Sequence, residues 1–248
     1  MNKKYELIKE DKIDICDAIL YRIKALKDFN DVEAGDYGGY IEKEENLSHD
    51  GNAWVYNDAE VYGDARVYDN AKVYNGAKVY DNAEVYGDAG IYDNAEIYEN
   101  AKVYDNAEIC DDAWVYGDAE VHGNARVYCN AWVSDDAIVY GNAEVYDNVT
   151  LCGDAEVYNN AKVCGDAKVF GDAEIKTSND YIMISNMGSR LNIITFAKSK
   201  NNNILVKAEC FEGYIDEFEN VIKEFHSDNE YAQAYNLTIQ LAKLRIKL

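Results

Sequence analysis

Few side chains in this sequence are suited to catalysis or metal binding, and their spacing decides what they could do. The histidines are His49, His122 and His226, scattered along 248 residues. General acid–base work needs a positioned partner, and no neighbouring residue supplies one. His122 is the catalytic candidate because it alone lies inside a long central repeat; its simpler reading is a substituted repeat position. Residues eighteen apart from it are Tyr86, Tyr104, Tyr140 and Tyr158, so a three-histidine zinc site is not supported. Asp118, Asp136, Asp154 and Asp172 also recur every eighteen residues. Four carboxylates about 4.8 Å apart could collect Ca²⁺ or Mg²⁺, although aspartate is equally a good corner residue. No cofactor is expected. The six cysteines, Cys16, Cys110, Cys129, Cys152, Cys164 and Cys210, form neither a disulfide framework nor a CxxC pattern. Reduced thiols in a cytoplasmic protein are the expectation.

These residues must be positioned by one phrase of six residues, Asx-Ala-x-Val-Tyr-Gly/Asx, copied twenty-one times without a gap from residue 52 to residue 175. The aliphatic slot runs from Val55 to Ile175 and holds only Val, Ile or Leu. Two residues earlier stands Ala, with Val149 the one exception. Alternation of small, variable, aliphatic and aromatic residues is the period-two pattern of a half-buried strand. Gly, Asp and Asn then tolerate left-handed backbone angles, so each unit ends in a corner. The whole reads as a parallel β-helix with forty-two inward residues.

The number of corners per coil is also legible. With three units per coil, residues eighteen apart stack, and opposite charges should face one another. One face then reads Glu108, Arg126, Glu144, Lys162; a second reads Glu60, Lys78, Glu96; a third reads Arg66, Glu84, Lys102, Glu120. Of nine stacked charged pairs eight are opposite, and only Glu156 over Glu174 is not. Four units per coil would set Glu84 over Glu108 and Lys78 over Lys102. A triangular prism of about seven coils, roughly 34 Å long at about 4.8 Å per coil, is predicted. The lack of proline suits a ladder in which nearly every N–H donates.

The surface of such a prism carries two features. Fourteen of twenty-one aromatic slots are Tyr, giving ladders such as Tyr56, Tyr74 and Tyr92, and, past Cys110, Tyr128 and Tyr146. Trp114 falls over Trp132. Ring stacking alone explains the ladders, while Tyr beside Asn, Asp and Gly is also the make-up of a protein-binding surface. Of the net charge of −23, residues 51–176 carry −17 and residues 181–248 balance to zero. That argues against direct nucleic-acid or anionic-membrane binding.

Residues 1–50 are read as an N-terminal cap protecting the strand edge. LYRIKAL (20–26) alternates like a strand, and AGDYGGYI (34–41) reads as a glycine-rich turn into a first irregular coil through Leu47. The N-terminus lacks the apolar core of a signal peptide. After the prism (51–176), residues 177–248 are read as a ββαα domain. In it LNIITFA (191–197) and ILVKAEC (204–210) form a hairpin. Ile215, Phe218, Val221, Ile222 and Phe225 mark a first helix stopping near His226-Ser227. Asp228 would cap a second, with Tyr231, Tyr235, Ile239, Ala242 and Ile246 on one side. Homo-oligomerisation through this domain is one expectation.

The aliphatic-x-x-x-small-x pattern, as in Val61 to Ala65 or Val67 to Ala71, resembles the hexapeptide repeat of the left-handed β-helix superfamily. The resemblance covers about half the chain. It implies a left-handed coil in a superfamily that includes trimeric acyltransferases, whose catalytic His lies near a loop that breaks the repeats. No such loop interrupts residues 53–175. The flanks, DFNDVEAGDYGGYIE (28–42), ITFAKSK, CFEGYIDEF and LAKLRI, look like bacterial and prophage hexapeptide-repeat proteins, some called transferases on fold alone. The expected function is a non-catalytic, rigid, acidic, Tyr-rich scaffold. It would engage a basic or nucleic-acid-binding protein, as a phage-derived counter-defence decoy. A trimeric acyltransferase and a filament-forming protein are the alternatives.

Overall fold

The computed structural model describes residues 3–15, 18–188, 191–209, 211–226 and 229–248. Cys16, Cys210, Ser227 and Asp228 lie outside them. The centre is a parallel β-solenoid. Its twenty-one two-residue strands run from β4 (Trp54–Val55) to β24 (Glu174–Ile175) and are dealt in turn to three sheets. The inward Ala and aliphatic residues from Ala53 to Ile175 are all buried, Val149 included. The first corner residue of every unit has positive φ, from Gly51 at 69° to Gly171 at 59°. Gly, Asp and Asn fill those corners except at Glu99 and Cys129, which hold φ of 57° and 61°.

Stacking at eighteen residues is the observed register. Glu108 pairs with Arg126, Lys78 with Glu96 and Lys102 with Glu120 on adjacent strands. Five of the opposite-charge pairs close as ion pairs, among them Arg126–Glu108 at 3.0 Å and Lys162–Glu144 at 2.9 Å. The like-charged pair Glu156 over Glu174 does stack. It is relieved from outside, by Lys200 on Glu156 at 2.7 Å and Lys176 on Glu174 at 3.1 Å.

Before the regular coils, β3 (Tyr37–Ile41) pairs in parallel with the strand Glu60–Val61, and Leu47 bridges to Val67. These residues make an irregular eighth coil. The segment read as a glycine-rich turn is therefore partly strand. Its glycines are needed for close approach: a Cβ on Gly38 would lie 2.5 Å from the Val55 carbonyl oxygen, and one on Gly39 2.4 Å from that of Ala59. LYRIKAL falls largely in β2 (Ala18–Ala25), which pairs with β3 and with β1 (Tyr5–Ile15).

The end of the solenoid meets a four-stranded antiparallel sheet and two helices. The expected hairpin is its central pair, β26 (Asn192–Lys198) and β27 (Ile204–Ala208), flanked by β25 (Tyr181–Met187) and β28 (Phe211–Tyr214). Helix α1 (Ile215–His226) buries Ile215, Phe218 and Ile222, but Phe225, expected on the same stripe, is exposed. Helix α2 (Glu230–Arg245) is capped by Asn229, whose side chain accepts from the Ala232 amide. It buries Ile239 and Ala242, with Ala232 and Thr238 in place of Tyr231.

Because neighbours close completely around each inward side chain, the prism has little room to relax. Ile97→Ala, at a fully buried position, is expected to lower stability by about 2–5 kcal/mol. Urea denaturation followed by circular dichroism checks this; a loss within experimental error would contradict a close-packed prism.

Candidate functional site

The outward residues of the prism largely engage their own copies. Tyr56, Tyr74 and Tyr92 stack with ring centroids 4.2 and 5.1 Å apart, and Tyr128 and Tyr146 stack at 4.9 Å. Tyrosine hydroxyls donate to glutamates of the following coil, as Tyr80 to Glu96 at 3.0 Å and Tyr104 to Glu120 at 2.9 Å. Tyr56 instead donates to Asp31 of the cap at 2.9 Å. His122 is one more ring in a ladder, between Tyr104 at 4.7 Å and Tyr140 at 5.2 Å, with its Nδ1 3.8 Å from Asp105.

The corners carry a second set of ladders that composition alone did not expose. Asn52 donates to Asn70 and Asn70 to Asp88; Asn106, Asn124, Asn142 and Asn160 form another chain. Recurrence of Asn every eighteen residues was the available signal. An ionised Asp accepts but cannot donate, so a chain stops wherever an Asp appears, as at Asp88. The column Asp118, Asp136, Asp154 and Asp172 lies past such an end, along a groove shared with Glu120, Ile138 and Lys200. Lys200 donates to the Asp154 carbonyl at 2.7 Å. Among the described residues no group of three or more His, Cys, Asp or Glu is arranged to hold a metal ion.

The charged columns are interrupted on one face by Trp114 and Trp132, stacked at 5.1 Å and followed by Thr150. Trp132 is 41% exposed. With Asn94, Glu96, Asp112, Asn130 and Asn148 the two rings line a groove of about 510 Å³. Asn94 donates to Asp112 at 3.1 Å and Asn130 to Asn148 at 3.3 Å. The corner chain is thus broken between Asp112 and Asn130, beside the tryptophans, where two acceptor oxygens follow one another.

Neither Cys110 nor Cys152 is an activated thiol. Burial, reinforced by Asp111, pushes Cys110 up to about 11, and burial likewise raises Cys152. Cys164 approaches the Tyr181 hydroxyl at 3.7 Å. No helix among the described residues is long and apolar enough to cross a membrane.

The solenoid with eighteen-residue coils fits the hexapeptide-repeat fold. No protein-family model matches the chain. A 39-residue stretch is 49% identical to the uncharacterized acetyltransferase YdcK of Escherichia coli (strain K12), covering 16% of this chain and 12% of that protein.

Alkaline pH should dismantle the Tyr surface. Burial, with nearby Tyr116, Glu144 and Glu156 respectively, pushes Tyr98, Tyr128 and Tyr140 up to about 12. An unfolded tyrosine ionises near 10. Folded pKa values above the unfolded one mean stability intact below about pH 10 and lost as pH rises toward 12. Unfolding monitored across that interval should coincide with tyrosinate formation; tyrosines ionising near pH 10 in a still-folded chain would contradict it.

Proposed function

We propose that this chain is a rigid, non-catalytic scaffold whose acidic, aromatic prism binds a basic protein through arginine side chains. The observation that carries the reading is the Trp114–Trp132 groove. A guanidinium is planar, stacks on an indole and brings five N–H donors. The groove offers an exposed indole beside the Asp112 carboxylate and the broken Asn chain, whose facing acceptors call for a donor from outside. The rest of the prism supports it by long-range attraction. One net charge per roughly 2 Å of axis approaches the roughly 1.7 Å per charge of duplex DNA. A protein whose basic groove normally holds nucleic acid is therefore the partner class, and the flanks' resemblance to prophage-borne proteins supports a counter-defence setting. Packing of His122 inside a ring ladder, as a stacking group, supports a structural use for the one histidine of the prism.

A second reading, a hexapeptide-repeat acyltransferase, is favoured by the stretch similar to the Escherichia coli protein named as an acetyltransferase. The two readings separate in one set of measurements. Calorimetry with an arginine-rich peptide should show binding that weakens about tenfold in Trp132→Ala and falls with added salt. A lysine-for-arginine version of the peptide should bind less well. Equal affinity of wild type and Trp132→Ala would remove the groove from the reading. Acetyl-CoA turnover that vanishes in His122→Ala would replace the scaffold with the enzyme.

A further inference from the structure

Helix α2 is apolar on two sides. Its inner side, Ala232, Ile239 and Ala242, packs into the C-terminal domain. Its outer side carries Leu237, Leu241 and Leu244, exposed by 65%, 42% and 76%, and Leu248 just past the helix end is exposed by 61%. The steps of four and three residues within the helix are the heptad spacing by which one helix packs along another. The other large exposed apolar side chains among the described residues, Ile19, Leu26, Tyr37, Trp132, Leu191 and Phe225, lie on different elements or on the segments between them. Here Leu237, Leu241 and Leu244 form one strip along the helix, with Leu248 exposed just beyond its end, and water-facing leucines in a row are costly unless something covers them.

We infer that a second copy of this chain covers the strip, the two α2 helices packing antiparallel about a two-fold axis near Leu241. Three features select a second copy and this direction. The leucines lie four residues before and three after Leu241, so in an antiparallel pair Leu237 of each copy meets Leu244 of the other. That is the self-complementarity a two-fold contact requires. With Leu237 set against Leu244, Arg245 faces Asn236 and Lys247 faces Ala234, so no cation meets a cation. A parallel pair would crowd Arg245 and Lys247 of both copies together. Lys243 is already held by Glu219 at 2.6 Å within its own domain.

Charge over the whole molecule points the same way. Two chains of net charge −23 repel across most of their surface, but residues 181–248 sum to zero. Contact there brings the copies together where the local charge is balanced. The strip exposes on the order of 400 Å², about half of the ~800 Å² each partner gives to a standard interface. An interface of that size gives a reversible dimer that depends on concentration. This inference is independent of the proposed scaffold function; its consequence for any prism ligand is bivalency.

The test is sedimentation equilibrium on the full chain over a wide concentration series. The mass should rise from 28.0 kDa toward that of a dimer. Added salt should tighten the dimer by screening the repelling prisms. Leu241→Glu and, separately, Leu244→Glu should each weaken dimerisation at least about tenfold, with the circular dichroism spectrum and melting curve kept. Leu241→Met should retain it. A mass of 28.0 kDa at every concentration overturns the inference. So does a trimer, or a dimer indifferent to both glutamate variants.

Discussion

Everything in the prism follows from residues eighteen apart being forced into contact by the backbone ladder. Once Trp54 donates to the carbonyl of Ala71 and Tyr56 to that of Val73, every side chain has its own counterpart above and below. Like then meets like unless the sequence alternates. Rings and amides tolerate this: tyrosines stack, and Asn side chains chain donor to acceptor. Charges do not, which is why Glu and Lys or Arg alternate in the columns. Corner Asp and Glu residues escape by accepting from a backbone amide of the next coil, as Asp105 does from Gly123 at 3.2 Å and Glu99 from Gly117 at 2.8 Å.

A parallel stack cannot satisfy its own ends, and the two caps solve this with opposite chemistry. At the first coil the cap brings donors to carbonyls: Lys4 to Ala53 at 2.8 Å, Tyr5 to Leu47 at 2.7 Å, Arg22 to Asn57 at 3.1 Å. Lys4 is fully buried for this purpose, and burial draws its pKa down to about 8. At the last coil the C-terminal segment brings acceptors to amides. Ser178 takes the Lys162 N–H, Tyr181 that of Cys164, Thr195 that of Lys168 and Asp180 that of Lys176. These side chains do what another coil would do, and they stop the edge from recruiting one.

The repeat made the prism legible because one error in period would have shown up at once as stacked like charges. The caps were harder for a physical reason. Strand β1 is exposed along much of both faces, so it leaves no alternating apolar trace, and a buried Lys4 runs against every burial expectation. Strand β28 is four residues with a glycine in it, below what pattern can separate from a loop. Trp114 over Trp132 followed from register alone. The broken Asn chain beside them did not, since it depends on which side chain donates to which, and periodicity says nothing about that.

A surface whose groups are occupied by their own copies has little left for a ligand. Six tyrosine hydroxyls are taken by glutamates, the corner amides by the Asn or Asp of the next coil and the charged columns by alternation. Recognition must therefore come from places where the pattern is interrupted, and these are few. Cys110 interrupts a tyrosine ladder with a half-buried thiol that burial keeps protonated. The aspartate column interrupts an amide chain, and Lys200 already sits at its far end. Trp114 and Trp132 interrupt a charged column with stacked rings, the first half-buried and the second exposed, where the neighbouring amide chain is also cut. There an exposed indole lies beside two acceptor oxygens that face one another, and that coincidence makes this groove the prism's strongest candidate for contact with another molecule.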